Sequence, residues 1–121
     1  MNRIFRFFLF LFLAGICHAE MSHYQTISWD AAIEKRHRGG VFLDVRTPEE
    51  VAGGTVEGAI NIPLGELATR AAELPKDKAI FVFCRSGVRS RKASEFLGDK
   101  GFTVYNVDGG FLKAPPKSAF K

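Results

Sequence analysis

The sequence predicts an α/β domain built on a central parallel sheet with helices on both faces. Short apolar segments alternate along the chain with segments whose apolar residues recur at helical spacing. The strand segments are continuously apolar, which is typical of strands buried on both faces of a parallel sheet. The 121 residues contain no internal repeat and no linker, so we expect one domain.

The first half of this domain predicts three strands and two helices. We expect the strands at three short apolar segments, 24–27, 41–45 and 59–62. Ser28 is a good N-cap for a helix over residues 29–35. Thr47, Pro48 and Glu50 then combine a cap, a first-turn proline and a capping-box partner, so a second helix is predicted to begin there.

The second half predicts two helices, two strands and a tail. Leu67, Ala71 and Leu74 share one face of a helix predicted over residues 66–74. The remaining elements are a central strand over 79–83, a helix from about Ser90 to Lys100 and a last strand over 103–107. We therefore place the domain at residues 24–112 and a flexible C-terminal tail, marked by two prolines, at 113–121.

Residues 1–19 have the three-part layout of a secretory signal peptide. Two arginines precede an apolar run that ends at Ile16, and the small residues Cys17 and Ala19 then lead to the expected cleavage point after Ala19. The run is too short for a membrane-spanning helix of about 20 residues. We therefore expect export to a bacterial periplasm without a stable membrane anchor. An uncleaved anchor and lipidation of Cys17 are the alternatives, and bulky Ile16 disfavours lipidation.

Charge and cysteine usage narrow the function classes. The chain has 17 Lys and Arg residues against 13 Asp and Glu residues, and removal of the signal leaves a net charge of +2. That mild charge does not indicate nucleic-acid binding, and no spacing of His, Cys or Asp suggests a metal or another cofactor. Cys84 becomes the sole cysteine of the exported domain, which we expect to be a monomer. An unpaired cysteine in an exported protein suggests either an intermolecular disulfide or a reactive thiol.

The segment that begins at Cys84 follows the central strand and leads into a helix. Backbone N–H groups and a helix N-terminus are expected to point at the sulfur, and Gly87 lets the backbone turn tightly. Arg85, Arg89 and Arg91 place positive charge nearby, which lowers a thiol pKa and favours the nucleophilic thiolate. The alternative is an ordinary buried cysteine, which would leave the arginines and the glycine unexplained.

Four ordered motifs resemble the rhodanese family. They span nearly all of the chain after the signal: 43–50 (LDVRTPEE), 57–63 (EGAINIP), 84–90 (CRSGVRS) and 105–110 (YNVDGG). The chain departs from the family pattern in lacking a histidine before Gly58 and in having Phe111 where a tryptophan is common. Both departures concern the rim and the C-terminal packing.

The resemblance implies a mainly parallel five-stranded sheet and a sulfurtransferase. Cys84 would take sulfur from a donor such as thiosulfate, hold it as a persulfide, and pass it to cyanide or a thiol. The resemblance also assigns substrate binding to the loop that follows this cysteine, namely to Arg85, Ser86, Gly87, Val88 and Arg89. Their N–H groups would stabilise the persulfide, and the two arginines would attract the anionic donor.

Other interpretations of the same residues stay open. Cysteine phosphatases and arsenate reductases place five residues between the cysteine and the arginine, whereas four lie between Cys84 and Arg89, a smaller ring that suits one sulfur atom. A module that is not an enzyme, namely a persulfide carrier, a redox-sensing thiol or a docking domain, is a further alternative, since an intact loop can also deliver sulfur to a partner protein. Asp44 and Arg46 are tempting as catalytic groups, but paired charges at strand ends more often fix neighbouring loops.

Overall fold

The computed structural model describes residues 23–121, and the predicted signal peptide lies outside the described residues. Five strands form one sheet: β1 (Gln25–Ile27), β2 (Val41–Asp44), β3 (Ile60–Asn61), β4 (Ile80–Phe83) and β5 (Val104–Val107). Their order across the sheet is β1-β5-β4-β2-β3, and each neighbouring pair is parallel. The predicted five-stranded sheet is confirmed.

Four α-helices connect the strands: α1 (Trp29–His37), α2 (Pro48–Ala52), α3 (Leu67–Arg70) and α4 (Val88–Asp99). The Ser28 hydroxyl accepts a hydrogen bond from the Ala31 N–H at 3.1 Å, and Thr47 and Glu50 form the predicted capping box. Both predicted helix starts are confirmed. No helix between residues 23 and 121 is long and apolar enough to cross a membrane.

The sheet separates two apolar cores, so helices cover both of its faces. Successive side chains of a strand point to opposite faces, and β4 accordingly sends Ile80 and Val82 to one core and Phe81 and Phe83 to the other. The first core packs against α3 and α4, and the second against α1. Cys84 continues the alternation of β4 and faces the first core, on the side of α4.

Three helices differ from their predicted bounds, and α1 continues to His37 rather than ending at residue 35. The helix predicted over 66–74 is a 3₁₀ turn (Leu64–Glu66), the short α3 and a second 3₁₀ turn (Ala71–Glu73). Its fully buried side chains are Leu67 and Leu74, so little apolar contact holds the middle of the segment in one regular helix. Helix α4 begins at Val88 rather than at Ser90, because the left-handed Gly87 turns the chain directly before it.

The tail has structure that the sequence does not predict. Residues Lys117–Phe120 form a 3₁₀ turn. The ring of Phe120 packs edge-on against Trp29 and Phe42, with centroid distances of 5.9 and 5.8 Å. The expectation of a tail without structure is therefore wrong for these residues, because an aromatic side chain gives the segment apolar area to bury. Its flexibility stays a prediction.

Candidate active site

Cys84 lies directly after the central strand, and its side chain is fully buried, with 0% exposed. The chain then turns through Arg85, Ser86 and Gly87 before α4 begins. The Gly87 N–H donates a hydrogen bond to the Cys84 sulfur at 3.0 Å. This bond depends on the left-handed conformation of Gly87, with φ of +114°, which other residues rarely adopt. The sulfur therefore lies inside a loop whose backbone donates to it.

Ser90 completes the surroundings of the sulfur from the first turn of α4. The Cys84 thiol donates to the Ser90 hydroxyl oxygen at 3.5 Å, and the Ser90 hydroxyl donates to the Gly87 carbonyl at 3.1 Å. Ser90 is fully buried. Ser90 is not among the predicted site residues, because the predicted helix begins at Ser90. With the start at Val88, Ser90 is the third helical residue and its side chain tilts back towards the loop.

The pKa of Cys84 lies below the ordinary value of a thiol. Burial raises the pKa, but hydrogen bonds to the sulfur outweigh it. In the thiolate form, in which the sulfur can only accept, the donors are the Ser90 hydroxyl and the backbone N–H groups of Ser90, Gly87 and Ser86. The sequence also predicts a lowered pKa for Cys84. However, the main effects that lower it are hydrogen bonds to the sulfur, and not the positive charges of Arg85, Arg89 and Arg91. The arrangement favours a nucleophilic thiolate.

Arg89 does not point freely at an incoming anion, because Glu50 holds it. Its two terminal nitrogens lie 2.6 and 2.9 Å from the two carboxylate oxygens of Glu50. The hydrogen bond from Arg89 lowers the pKa of Glu50 to about 2, against a smaller opposing effect of burial. Glu50 is the capping-box partner that the sequence predicts. Its pairing with Arg89 could not be predicted in the same way, because the two residues lie 39 positions apart and no local sequence pattern connects them.

The other predicted loop residues face solvent. Arg85 and Ser86 are exposed, and Val88 has 53% of its area exposed. Among residues 23–121, no ion pair involves Arg85 or Arg91. Arg85 is therefore an exposed loop cation that no described acidic side chain neutralises, in contrast to Arg89.

The turn after β5 holds the loop from the other side. The N–H groups of Phe111 and Leu112 donate to the carbonyls of Cys84 and Arg85, at 2.7 and 3.2 Å. A side chain at Gly110 would collide with the Arg85 carbonyl, and the Gly110 φ of +62° is also left-handed. The sequence predicts a turn at this point but not its contact with the loop. The turn therefore fixes where the loop begins.

Asp44 and Arg46 form a buried pair behind the loop. A terminal nitrogen of Arg46 lies 2.7 Å from an Asp44 carboxylate oxygen, and the Thr55 hydroxyl donates to the same carboxylate at 2.7 Å. The same nitrogen also donates to the Gly54 carbonyl, and the guanidinium lies 4.5 Å from the centre of the Phe111 ring. The preferred structural interpretation of this pair is confirmed, since its partners belong to the neighbouring loops.

Other places that could hold a ligand lie away from the cysteine. A cavity of about 760 Å³ opens between residues 55–58 and the C-terminal segment, and none of the loop residues 84–89 lines it. Across the described part of the chain, no three His, Cys, Asp or Glu residues are grouped so that they could hold a metal ion. The candidate site considered below therefore consists of Cys84 and its hydrogen-bond donors, and it is separate from this cavity.

Comparison with known proteins gives a consistent result. A family model described as "Rhodanese-like domain" matches residues 28–114. An uncharacterised Bacillus subtilis protein, YqhL, is 38% identical over 87% of this chain and 88% of its own length. The thiosulfate sulfurtransferase GlpE of Pseudomonas entomophila is 34% identical over 75% of this chain and 84% of its own. A crystal structure of a rhodanese-related protein from Thermoplasma volcanium is 35% identical, with a TM-score of 0.69, over 75% of this chain and 90% of its own.

Proposed function

The chain belongs to the rhodanese-like domain family, and on that premise we propose that it is a sulfurtransferase that carries sulfur as a persulfide on Cys84. The observation that carries the proposal is the hydrogen bond from the Gly87 N–H to the Cys84 sulfur at 3.0 Å. A fixed donor at that sulfur stabilises the thiolate that attacks the sulfur donor and the thiolate that is regenerated when the sulfur is passed on. A relative of this chain is named as a thiosulfate sulfurtransferase, which supports thiosulfate as donor.

In the first half of the reaction, the Cys84 thiolate attacks the outer sulfur of thiosulfate. A bond forms between the two sulfur atoms, the sulfur–sulfur bond of thiosulfate breaks, and sulfite leaves with its electron pair. The negative charge moves onto the new terminal sulfur. Backbone N–H groups of the loop from Arg85 to Arg89 would stabilise that charge, and the exposed Arg85 would attract the donor.

In the second half, a thiophilic acceptor attacks the terminal sulfur. Cyanide gives thiocyanate and a thiol gives a persulfide, and in both cases the electron pair of the broken bond returns to Cys84 as thiolate. Hydrogen bonds that stabilise a thiolate make Cys84 a good leaving group in this step. Ser90, whose hydroxyl lies 3.5 Å from the sulfur, can turn its proton towards the thiolate that is regenerated.

Mass spectrometry of the intact protein tests this function. After incubation with thiosulfate and removal of excess donor, we expect the wild-type protein to gain the mass of one sulfur atom and to lose it again on addition of cyanide. The Cys84→Ser variant should gain nothing and should form no thiocyanate while keeping its circular-dichroism spectrum. Absence of any gain in the wild type, together with hydrolysis of an aryl phosphate, would replace this proposal with the phosphatase alternative. Stable loading without thiocyanate formation would instead indicate a persulfide carrier.

We also propose that residues 1–19 direct the protein to the periplasm and are removed after Ala19. The charged, apolar and small-residue regions of that segment support the proposal. The first residue of the mature protein, read by N-terminal sequencing, should be Glu20. A lipid attached to Cys17 would contradict cleavage at this point.

A further inference from the structure

Glu50 touches the active-site loop from a different part of the fold. It is the third residue of α2, and α2 follows β2, the strand beside β4. Its partner Arg89 is the second residue of α4, five positions after the cysteine. The negative charge that develops at Cys84 acts on Arg89 as well, since Cys84 contributes to the raised pKa of that guanidinium after the larger effect of Glu50. Arg89 is therefore shared between Glu50 and whatever anion occupies the loop.

The geometry of the pair decides how much of the Arg89 charge a donor meets. Both terminal nitrogens of Arg89 already donate to carboxylate oxygens, at 2.6 and 2.9 Å. The two side chains are mostly buried, with 32% and 27% of their areas exposed, so solvent screens the pair only in part. An anionic donor therefore approaches a neutralised guanidinium, and it gains less from each of its negative charges than it would from an unpaired Arg89.

We propose that Glu50 is a specificity-determining residue that acts through Arg89 and sets the charge of the preferred sulfur donor. By neutralising Arg89, it reduces the advantage that the second negative charge of thiosulfate would give it over singly charged sulfane donors of the thiosulfonate and organic persulfide classes, so that both kinds of donor are accepted. The inference rests on the proposed sulfurtransferase function and specifies its donor class. The pair thus acts on the difference in affinity between two donors, since it removes an attraction from which a dianion would gain more than a monoanion.

The charge of Glu50 can be removed without removing its role as a cap. Glu50 accepts hydrogen bonds from the N–H and the hydroxyl of Thr47, each at 3.2 Å. Glutamine serves equally at this position of a capping box. The Glu50→Gln variant therefore keeps the start of α2 while it releases the charge of Arg89. Glu49→Gln is the matched control, because Glu49 is the exposed neighbour and forms no ion pair within residues 23–121.

Two donors with the same sulfur chemistry but different charge give a direct test. Methanethiosulfonate carries one negative charge, and the thiolate displaces methanesulfinate from it just as it displaces sulfite from thiosulfate. Electrostatic energy is proportional to the charge of the donor, so the gain in kcat/KM for thiosulfate should be the square of the gain for methanethiosulfonate. For a screened interaction across about 10 Å, we expect gains of about ninefold and about threefold at low salt.

The result that decides is the ratio of the two kcat/KM values, measured with cyanide as acceptor. We expect Glu50→Gln to raise the ratio of thiosulfate to methanethiosulfonate about threefold, and Glu49→Gln to leave it unchanged. A general change in thiolate reactivity would alter both donors equally and leave the ratio at the wild-type value, which would overturn the proposal. A fall in the ratio would overturn it as well. If the wild-type protein never gains sulfur on Cys84, the proposed function fails, which is a different outcome from an unchanged ratio in an active enzyme.

Discussion

Replacing Ser90 with alanine is expected to slow alkylation of Cys84 about tenfold at pH values where the thiol is only partly ionised. The Ser90 hydroxyl lies 3.5 Å from the sulfur, and its hydrogen bond makes the largest single contribution to lowering the pKa of Cys84. Alanine keeps the backbone N–H of residue 90 and removes the hydroxyl alone. Because both side chains are fully buried, water does not take the place of the lost hydroxyl. The pKa of the thiol must then rise.

The magnitude follows from the strength of the bond that is lost. A hydrogen bond to a charged group contributes about 1.5–3 kcal/mol, and the long distance in this site places the contact at the low end of that range. A factor of ten in thiolate population corresponds to about 1.4 kcal/mol. The second contact of Ser90, with the Gly87 carbonyl at 3.1 Å, is lost too and should lower the unfolding free energy by about 1 kcal/mol.

The assay is the rate of reaction with iodoacetamide as a function of pH. Wild-type and Ser90→Ala proteins should reach the same plateau at high pH, where both are thiolates, and should differ about tenfold well below it. Ser94→Ala is the matched control. Ser94 lies one turn further along α4, is equally buried, and its hydroxyl has no hydrogen-bond partner among the described residues. Identical profiles for Ser90→Ala and wild type would refute the role of Ser90, and equal slowing in both variants would point to a loosened helix.

Two further predictions concern the contacts on either side of the loop. Gly110→Ala places a side chain against the Arg85 carbonyl at a left-handed φ of +62°; it should reduce sulfur loading of Cys84 and cost about 1–3 kcal/mol in urea unfolding. The control is Gly65→Ala, where a side chain meets open space, and its unfolding free energy should stay within about 0.5 kcal/mol of the wild-type value. Normal sulfur loading of Cys84 in Gly110→Ala would contradict the role of this turn. The second prediction is a pH dependence. The folded pKa of Glu50 is about 2 against an ordinary 4.5, so its contribution to stability is complete above 4.5 and is lost as the pH falls towards 2. Urea unfolding at several pH values should show that Glu50→Gln loses less unfolding free energy than the wild type as the pH falls from 4.5 towards 2. The same pH dependence of the unfolding free energy in both proteins would argue against the Glu50–Arg89 pair.

Much of the fold follows from signals that act over a few residues. Ser28 and Thr47 start their helices as predicted, because an N-cap needs only the N–H groups two or three positions along the chain. The central strand β4 follows for a similar reason, since burial on both faces requires each of its residues to be apolar. The cysteine loop with its glycine is also visible locally, because a helix start after a strand directs N–H groups at the residue between them.

The contacts around Cys84 depend on the order of strands, which no local pattern specifies. Because β4 lies between β2 and β5, the chain segments that leave β2 and β5 reach the same edge of the sheet as Cys84. That placement brings Glu50 onto Arg89 across 39 residues, and it brings Phe111 and Leu112 onto the loop carbonyls. The sequence by itself thus determined the local scaffold and the position of the proposed nucleophile. Only the tertiary structure decided which arginine is neutralised and what holds the loop, because those energies arise between residues distant in sequence.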